Sequence, residues 1–411
     1  MFSYTIIESD NLISMRGIKT GITSILIFFC FSSLYGQKFD SLALLPPMGW
    51  NDWNAFKCSI NETIIREVAD AMVTNGMKDA GYIYIIIDDC WQKARDAKGN
   101  ILADPVRFPG GMKNLGEYLH ALGFKFGIYS DAGSSTCRGR PGSKGFEYRD
   151  ALTYAEWGCD YLKYDWCSHG TQDAVSSYQL MCDALCTAGR PVVFSICEWG
   201  KNKPWEWGKD VGHLWRTTPD IINCFDGRNI WGGMGILQII DRMAAVGSFS
   251  GPGHWNDADM LQVGNGKLSP AEERLHFSMW AMFSAPLIAG NDVRNMSAET
   301  LSNLTNGEVI AVDQDRLGVS AIRRVKKGDL EIWFKPLDRG EFAFCLLNRG
   351  SGTISFDQDL MAGTNATYPV DGIFTIRDLW KHKVIGATGE NLKGILAPHD
   401  VLLVKLIPGT N

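Results

Sequence analysis

An α/β architecture, a (β/α)8 barrel followed by a C-terminal antiparallel β-sandwich domain, is what three features of this 411-residue chain predict. Between residues 48 and 293 short apolar runs alternate with amphipathic stretches whose apolar residues recur at three-to-four spacing. Eight such units over about 250 residues are the size of a barrel. Beyond Gly318 the helical period is lost, and short alternating runs broken by Gly, Asn and Asp take over.

In chain order, Arg16 and Lys19 precede an apolar run over 22–31 and then Ser32-Ser33-Leu34-Tyr35-Gly36. Basic, apolar and small residues in that order form a secretory leader, with cleavage between Gly36 and Gln37 and Met15 as an alternative start. The run is short for a membrane span, so the mature protein is expected to be secreted or periplasmic. Cys30 follows Phe28-Phe29 and lacks the small residue expected before a lipid-modified cysteine. The expected domains are a leader over 1–36, a catalytic barrel over 37–317 and a β domain over 318–411.

Barrel strands are expected at 48–51, 82–90, 124–130, 161–167, 192–199, 214–220, 248–255 and 286–291, with helices such as 64–79 and 111–122 between them. A doubly wound sheet would instead want a glycine-rich phosphate loop after its first strand, and Met48-Gly49-Trp50-Asn51-Asp52-Trp53 is not one. The second domain reads as strands at 330–336, 341–348, 352–356, 375–378 and 401–407. No carboxylate cluster appears there, so packing, stability or weak glycan contact is its expected role.

The segment Tyr161-Leu162-Lys163-Tyr164-Asp165-Trp166-Cys167 points to the site. Strand side chains alternate faces, so Lys163, Asp165 and Cys167 share one. An unpaired buried charge costs several kcal/mol, so the pair must face a polar cavity or an ionic partner. Alone, such a pair reads as a structural salt bridge. Other strand ends change that reading, because they carry Trp53, Asp88, Asp89, Tyr129, Asp131, Glu198, Trp199, Arg216, Asp220, Asp257 and Asp259. Catalytic groups of a barrel sit at those C-terminal ends.

Composition narrows the substrate. Apolar and charged fractions of 45% and 21% are ordinary, and the net charge of −6 with no Lys/Arg run among aromatics argues against a nucleic acid partner. Trp50, Trp53, Trp91, Trp166 and Trp199 beside carboxylates suit a neutral sugar, whose C–H faces pack on indole while Asp, Arg and Lys bind its hydroxyls. No cofactor is implied. The absence of C-x-x-C and of paired histidine spacing argues against a metal. Of 11 cysteines, those outside the leader read as local staples rather than a scaffold.

Glycoside hydrolysis needs two carboxyl groups. Asp165 beside Lys163 suits the nucleophile, since a neighbouring ammonium favours the ionised form. For the acid, Asp220, Asp257 and Asp259 are equally open on these grounds.

The segments Met48-Gly49-Trp50-Asn51-Asp52-Trp53, Ile87-Asp88-Asp89-Cys90-Trp91 and Gly127-Ile128-Tyr129-Ser130-Asp131-Ala132-Gly133 together resemble glycoside hydrolase family 27, the melibiase-type α-galactosidases. So do Leu162-Lys163-Tyr164-Asp165, Cys197-Glu198-Trp199-Gly200, Trp215-Arg216-Thr217-Thr218-Pro219-Asp220 and Trp255-Asn256-Asp257-Ala258-Asp259-Met260. The resemblance implies a retaining hydrolase with Asp165 as nucleophile and Asp220 as acid/base, their carboxyls ~5–5.5 Å apart. Lys163 and Arg216 would hold sugar hydroxyls, and Asp88 and Asp89 those near C4 and C6. Trp53, Tyr129, Cys137, Cys197, Glu198 and Trp199 would line the pocket, with Asp257 and Asp259 in support. It further implies the disulfides Cys58–Cys90 and Cys137–Cys167.

Trp166, Asp52, His254 and Ala258 depart from the family pattern, and Trp166 is expected to reshape the pocket wall or the aglycone side. Within the resemblance, bulk at Glu198-Trp199 favours galactose over an N-acetylated sugar, and the Asp88-Asp89 pair disfavours a β-L-arabinopyranoside. The competing readings are an α-N-acetylgalactosaminidase, a β-L-arabinopyranosidase, a non-catalytic sugar-binding protein and a metal-dependent hydrolase.

Overall fold

A computed structural model describes residues 38–362 and 372–409. The leader expected over 1–36 lies outside the described residues.

Eight parallel strands form one curled sheet: β1 (Met48–Asn51), β2 (Tyr84–Ile87), β3 (Lys125–Asp131), β4 (Tyr161–Asp165), β5 (Val193–Cys197), β6 (Leu214–Arg216), β7 (Trp255–Asp257) and β8 (Leu287–Ala289). Neighbours follow the order β8-β1-β2-β3-β4-β5-β6-β7. A parallel bridge from Leu261 to Ala289 closes the ring, with the Leu261 N–H on Ile288 O at 2.8 Å. Gly49 is required in β1, where any Cβ would stand 2.4 Å from Tyr84 O.

The helices are amphipathic and capped. Asn61 accepts from the Ile64 N–H at the start of Glu62–Thr74, which buries Ile65, Val68, Ala69 and Met72 on one face. A capping box between Ser269 and Glu272 starts Pro270–Phe283. That helix is buried nearly all round because it is clamped between the barrel and the second domain.

Two barrel strands depart most from expectation, and the strands at Ile322–Lys327, Lys383–Ala387 and Leu392–Leu396 of the second domain were not expected. The seventh does not span 248–255: Gly247–Phe249 is a 3-10 turn, and pairing begins only at Trp255. The reason is Gly251-Pro252-Gly253, where Pro252 has no N–H and Gly253 sits at φ +77°. The sixth ends at Arg216 rather than Asp220, since Pro219 cannot donate and the last ladder contact is Thr217 N–H to Asp257 O at 3.1 Å.

The second domain holds β9 (Ile322–Lys327), β10 (Leu330–Pro336), β11 (Phe342–Asn348), β12 (Ile354–Gln358), β13 (Phe374–Asp378), β14 (Lys383–Ala387), β15 (Leu392–Leu396) and β16 (Val401–Pro408). Six make an antiparallel sheet in the order β9-β10-β11-β16-β13-β14, and β12 with β15 forms a ribbon over it. Strand β11 is buried on both faces. Ala343, Cys345 and Leu347 join the barrel-side core, while Phe342, Phe344 and Leu346 meet Phe356, Leu392 and Leu396 of the ribbon. Lys335 of β10 is fully buried and donates to Ala281 O, Ser284 Oγ and Val312 O at 2.6–2.9 Å, tying the sheet to the end of the clamped helix.

Candidate active site

Going up the inside of the barrel, an apolar layer gives way to polar groups within two residues along five strands: Ile86 to Asp88, Tyr161 to Lys163, Val193 to Ser195, Leu214 to Arg216 and Trp255 to Asp257. The period-two alternation of a strand makes this happen, because residues i and i+2 share a face. A small cavity lies among Asn51, Lys163, Arg216, Asp257 and Asp259.

Lys163 is the centre of one half. Its Nζ donates to Asp88 Oδ2 at 2.7 Å, and Asn51 Nδ2 donates to the same oxygen at 2.8 Å. Burial opposes the ammonium's charge, yet Asp88, Asp165 and Asp259 outweigh it and hold the group protonated well past the ordinary range. Asp89 is fully engaged, with Oδ1 taking Thr136 Oγ1 at 2.8 Å and the Cys90 N–H, and Oδ2 taking the Arg138 N–H at 2.9 Å.

Asp165 crowns β4. Tyr129 Oη donates to its Oδ2 at 2.9 Å, and the Trp166 N–H donates to its Oδ1 at 2.9 Å. Burial first, and then the charge of Asp220, push its carboxyl up to about 7 against the pull of Lys163. Asp131 stands beside it, also pushed up to about 8 by burial and by Asp165.

Arg216 is the centre of the other half. One nitrogen reaches Asp259 Oδ2 at 2.7 Å and Asp220 Oδ1 at 3.0 Å. Burial acts to raise the Asp220 carboxyl, but Arg216 and then Lys163 bring it below its usual range. Its side chain is 64% exposed at the mouth, unlike Asp165 and Asp259. Asp259 also accepts the Ile221 N–H at 2.7 Å, so it fixes the backbone on the far side of Asp220 as well.

Both disulfides expected from the resemblance are present. Cys58–Cys90 ties the β1 and β2 loops, and Cys137–Cys167 ties the β3 and β4 loops, with Cys137 Sγ 3.5 Å from Asp165 Oδ2. Asp131, Cys137, Asp165 and Cys167 present ligand-type atoms within 4.8 Å of one another. The two sulfurs are spent in the disulfide, so this group has no thiolate to offer a metal. Four residues of the same rim, Lys57, Cys90, Trp199 and Asp259, have positive φ without being glycine.

The structure thus gathers Asp88, Asp89, Tyr129, Cys137, Lys163, Asp165, Cys197, Arg216 and Asp220 at one end of the barrel. Cys197 lies 3.7 Å from Arg216. Trp53 and Trp199 remain partly exposed, with Lys57 over Trp53 at 5.0 Å and Lys201 over Trp199 at 4.5 Å. Glu198 is fully buried, and one oxygen takes both the N–H and the side chain of Asn202.

The other three tryptophans are not platforms. Trp50, Trp91 and Trp166 are buried in the core. Trp166 lies flat on His169 at 4.6 Å and packs on Tyr178, so it does not reshape the pocket wall as expected. It follows Asp165 by one residue and therefore faces the opposite way.

Two contributors were given no role in the site by the sequence reading. Asn51 shares Asp88 with Lys163. Asp52 is fully buried, with Oδ1 accepting the Asp88 N–H at 2.6 Å and Oδ2 without a partner among the described residues. Burial first, then Asp88, raise its carboxyl well above the usual range. Its departure from the family pattern, beside a strand-end asparagine, was the available signal.

Comparison with known proteins gives a consistent picture. Residues 45–315 match the family model described as alpha galactosidase A, and 327–406 match the alpha galactosidase C-terminal beta sandwich domain. The chain is 50% identical to alpha-galactosidase A of Cellvibrio japonicus, covering 90% of this chain and 94% of that protein. Alpha-galactosidase I from Mortierella vinacea superposes with a TM-score of 0.87 at 38% identity, covering 90% of this chain and 99% of that one. The Saccharomyces cerevisiae enzyme, solved with raffinose, superposes at 0.85 with 32% identity, covering 90% and 99%.

Proposed function

The chain belongs to the melibiase family, glycoside hydrolase family 27, and from that premise we propose that it is a retaining exo-α-galactosidase. It removes terminal α-linked D-galactose from oligosaccharides, polysaccharides or glycoconjugates through a covalent glycosyl-enzyme intermediate. The observation that carries this reading is Asp165, held by the Tyr129 hydroxyl and the Trp166 N–H beside Lys163, with Asp220 of the loop after β6 near enough for its charge to act on it.

In the first step an Asp165 oxygen attacks C1 while Asp220 protonates the departing glycosidic oxygen. In the second, Asp220 takes a proton from water, which attacks C1 and frees galactose with its configuration retained. In the empty site the proton favours Asp165 over Asp220. A sugar seated over Asp220 screens it further from water, which raises its pKa. Asp165 is already dry and has little left to lose. Binding therefore moves the proton to where the acid is needed.

Lys163 and Arg216 hold hydroxyls, Asp88 and Asp89 take those near C4 and C6, and Trp53, Tyr129, Cys137, Cys197 and Trp199 wall the cup. Trp199, rather than Glu198 with its carboxyl on Asn202, presents the bulk that excludes an N-acetyl group. Export fits the two disulfides, which persist in oxidising compartments. Among the described residues no helix is long and apolar enough to cross a membrane.

Initial rates on 4-nitrophenyl α-D-galactopyranoside, α-N-acetylgalactosaminide and β-L-arabinopyranoside, with Asp165→Ala as control, test the proposal. The galactoside should dominate, and the control should abolish it. A dominant rate on either other sugar would replace the specificity, and turnover on none would return the sugar-binding reading.

A further inference from the structure

Asp52 takes no part in the two chemical steps, yet it is wholly buried at the end of β1. The strand stops at Asn51, and the chain turns into the short helix Trp53–Phe56, whose Phe56 N–H binds Asp52 O at 2.9 Å. An aspartate in that place usually caps the helix with its side chain, and this one does not. Its Oδ1 reaches across to the end of β2 instead and accepts the Asp88 N–H at 2.6 Å.

Asn51 and Asp52 thereby grip one residue from two directions. Asn51 Nδ2 and Lys163 Nζ hold the Asp88 carboxylate at Oδ2, and Asp52 holds the Asp88 peptide. A side chain pivots about its own backbone, so fixing the peptide removes slack that the carboxylate's bonds alone would leave. Asp89 is held separately, by the Thr136 hydroxyl and the Arg138 N–H. The influence of Asp52 on a sugar therefore runs through Asp88.

Packing gives no reason for a carboxyl here. Oδ2 of Asp52 is buried without a partner among the described residues. Such an oxygen costs free energy that an apolar side chain of the same size would not. The single bond to Asp88 is what accounts for the group.

We propose that Asp52 is a positioning residue of the sugar cup. Through the Asp88 peptide it fixes the carboxylate that takes a hydroxyl on C4 or C6, and so contributes to the choice of galactose. The inference rests on the α-galactosidase reading of that cup, which the same kinetics test independently.

Steady-state kinetics on 4-nitrophenyl α-D-galactopyranoside and its 4-deoxy and 6-deoxy analogues test it, in the native protein and in Asp52→Ala, Asp52→Leu and Asp52→Asn, with thermal unfolding of each. The first two substitutions remove the bond, one leaving space and the other filling it. The third keeps an acceptor oxygen at the same reach. On the full galactoside, kcat/KM should fall about tenfold in Asp52→Ala and Asp52→Leu, chiefly through KM, as for one lost contact to a hydroxyl. On the deoxy analogue that lacks the hydroxyl Asp88 holds, the contact is already gone, and the same variants should fall by less than about twofold. Asp52→Asn should follow the native protein on all three substrates. Equal losses on all three in folded variants, no loss at all, or a loss that Asp52→Asn shares overturns the proposal and leaves the α-galactosidase reading standing. Failure of both Asp52→Ala and Asp52→Leu to fold assigns Asp52 to the core and overturns it too. Absence of turnover by the native protein on the full galactoside overturns the α-galactosidase reading and takes this proposal with it.

Discussion

Arg216 and Asp259 meet at 2.7 Å at the base of the site, and the same guanidinium nitrogen lies 3.0 Å from Asp220. Asp259 therefore takes up part of the positive charge that would otherwise hold the proposed acid ionised. Asp259→Asn should leave Arg216 to Asp220 alone and lower the Asp220 pKa. The alkaline limb of kcat, on which activity fades as the acid loses its proton, should move down by about one unit. A loss of activity with an unmoved limb would reduce Asp259 to a packing role.

Removing Asp220 should be least harmful where the leaving group needs no proton. Asp220→Ala is expected to slow natural galactosides by about 10²–10⁴-fold, the span of general acid catalysis, and aryl galactosides with good leaving groups far less. Asp165→Ala should be inactive on both. Added azide should attack C1 from the vacated side in that variant and yield a β-galactosyl azide, visible by NMR. An α-configured azide would place the nucleophile elsewhere.

The two disulfides should separate stability from activity. Cys58–Cys90 spans a sequence separation of 32 and closes a loop between rim segments. Chain entropy then gives it about 3–4 kcal/mol, to be lost in Cys58→Ser/Cys90→Ser and read by denaturant unfolding. Cys137–Cys167 spans 30 and touches Asp165, so its removal should also depress kcat. Equal kinetic effects from the two would argue against a special place for Cys137 in the pocket.

Buried histidines should govern acid stability. His213 accepts the Phe194 N–H on Nδ1, and His276 accepts the Gln262 N–H on Nε2. Burial lowers their pKa values to about 4 and about 3. Near neutrality both are uncharged, folded or unfolded. As pH falls below about 6.5 the unfolded chain takes up protons that the folded one refuses, so stability declines from there to about pH 4. Each histidine should remove on the order of 3 kcal/mol over that window. Unfolding His213→Asn and His276→Gln in denaturant at pH 7 and pH 4.5 should show a shallower acid decline. An unchanged decline would assign acid lability to the carboxylates.

Much of the barrel was legible because each strand announced itself twice, by an apolar run and by a polar residue at its end. Lys163, Asp165, Asp88 and Arg216 broke apolar context in a way that burial does not tolerate without partners. The tryptophans carried no such information. Trp91 and Trp166 stand one residue from a pocket group or its disulfide, and parity turns them outward; counting faces would have separated Trp166 from Trp53 where composition could not. Strand β7 was misplaced because apolar residues around Gly251-Pro252-Gly253 outweighed what that tripeptide forbids. Strand β14 was missed because it is an edge, exposed along its whole length, and needs no alternation.

Strand β11 answers to two masters. Its odd-numbered residues serve the barrel side and its even-numbered ones the ribbon side. A change at Phe344 is therefore judged by one domain and a change at Cys345 by the other, although the two are neighbours in the gene. Such a strand can drift only in alternate letters, each set in step with a different partner. The second domain is in that sense not a cargo the barrel could shed. It is a shared wall, and its ancestry should be traceable as two interleaved histories rather than one.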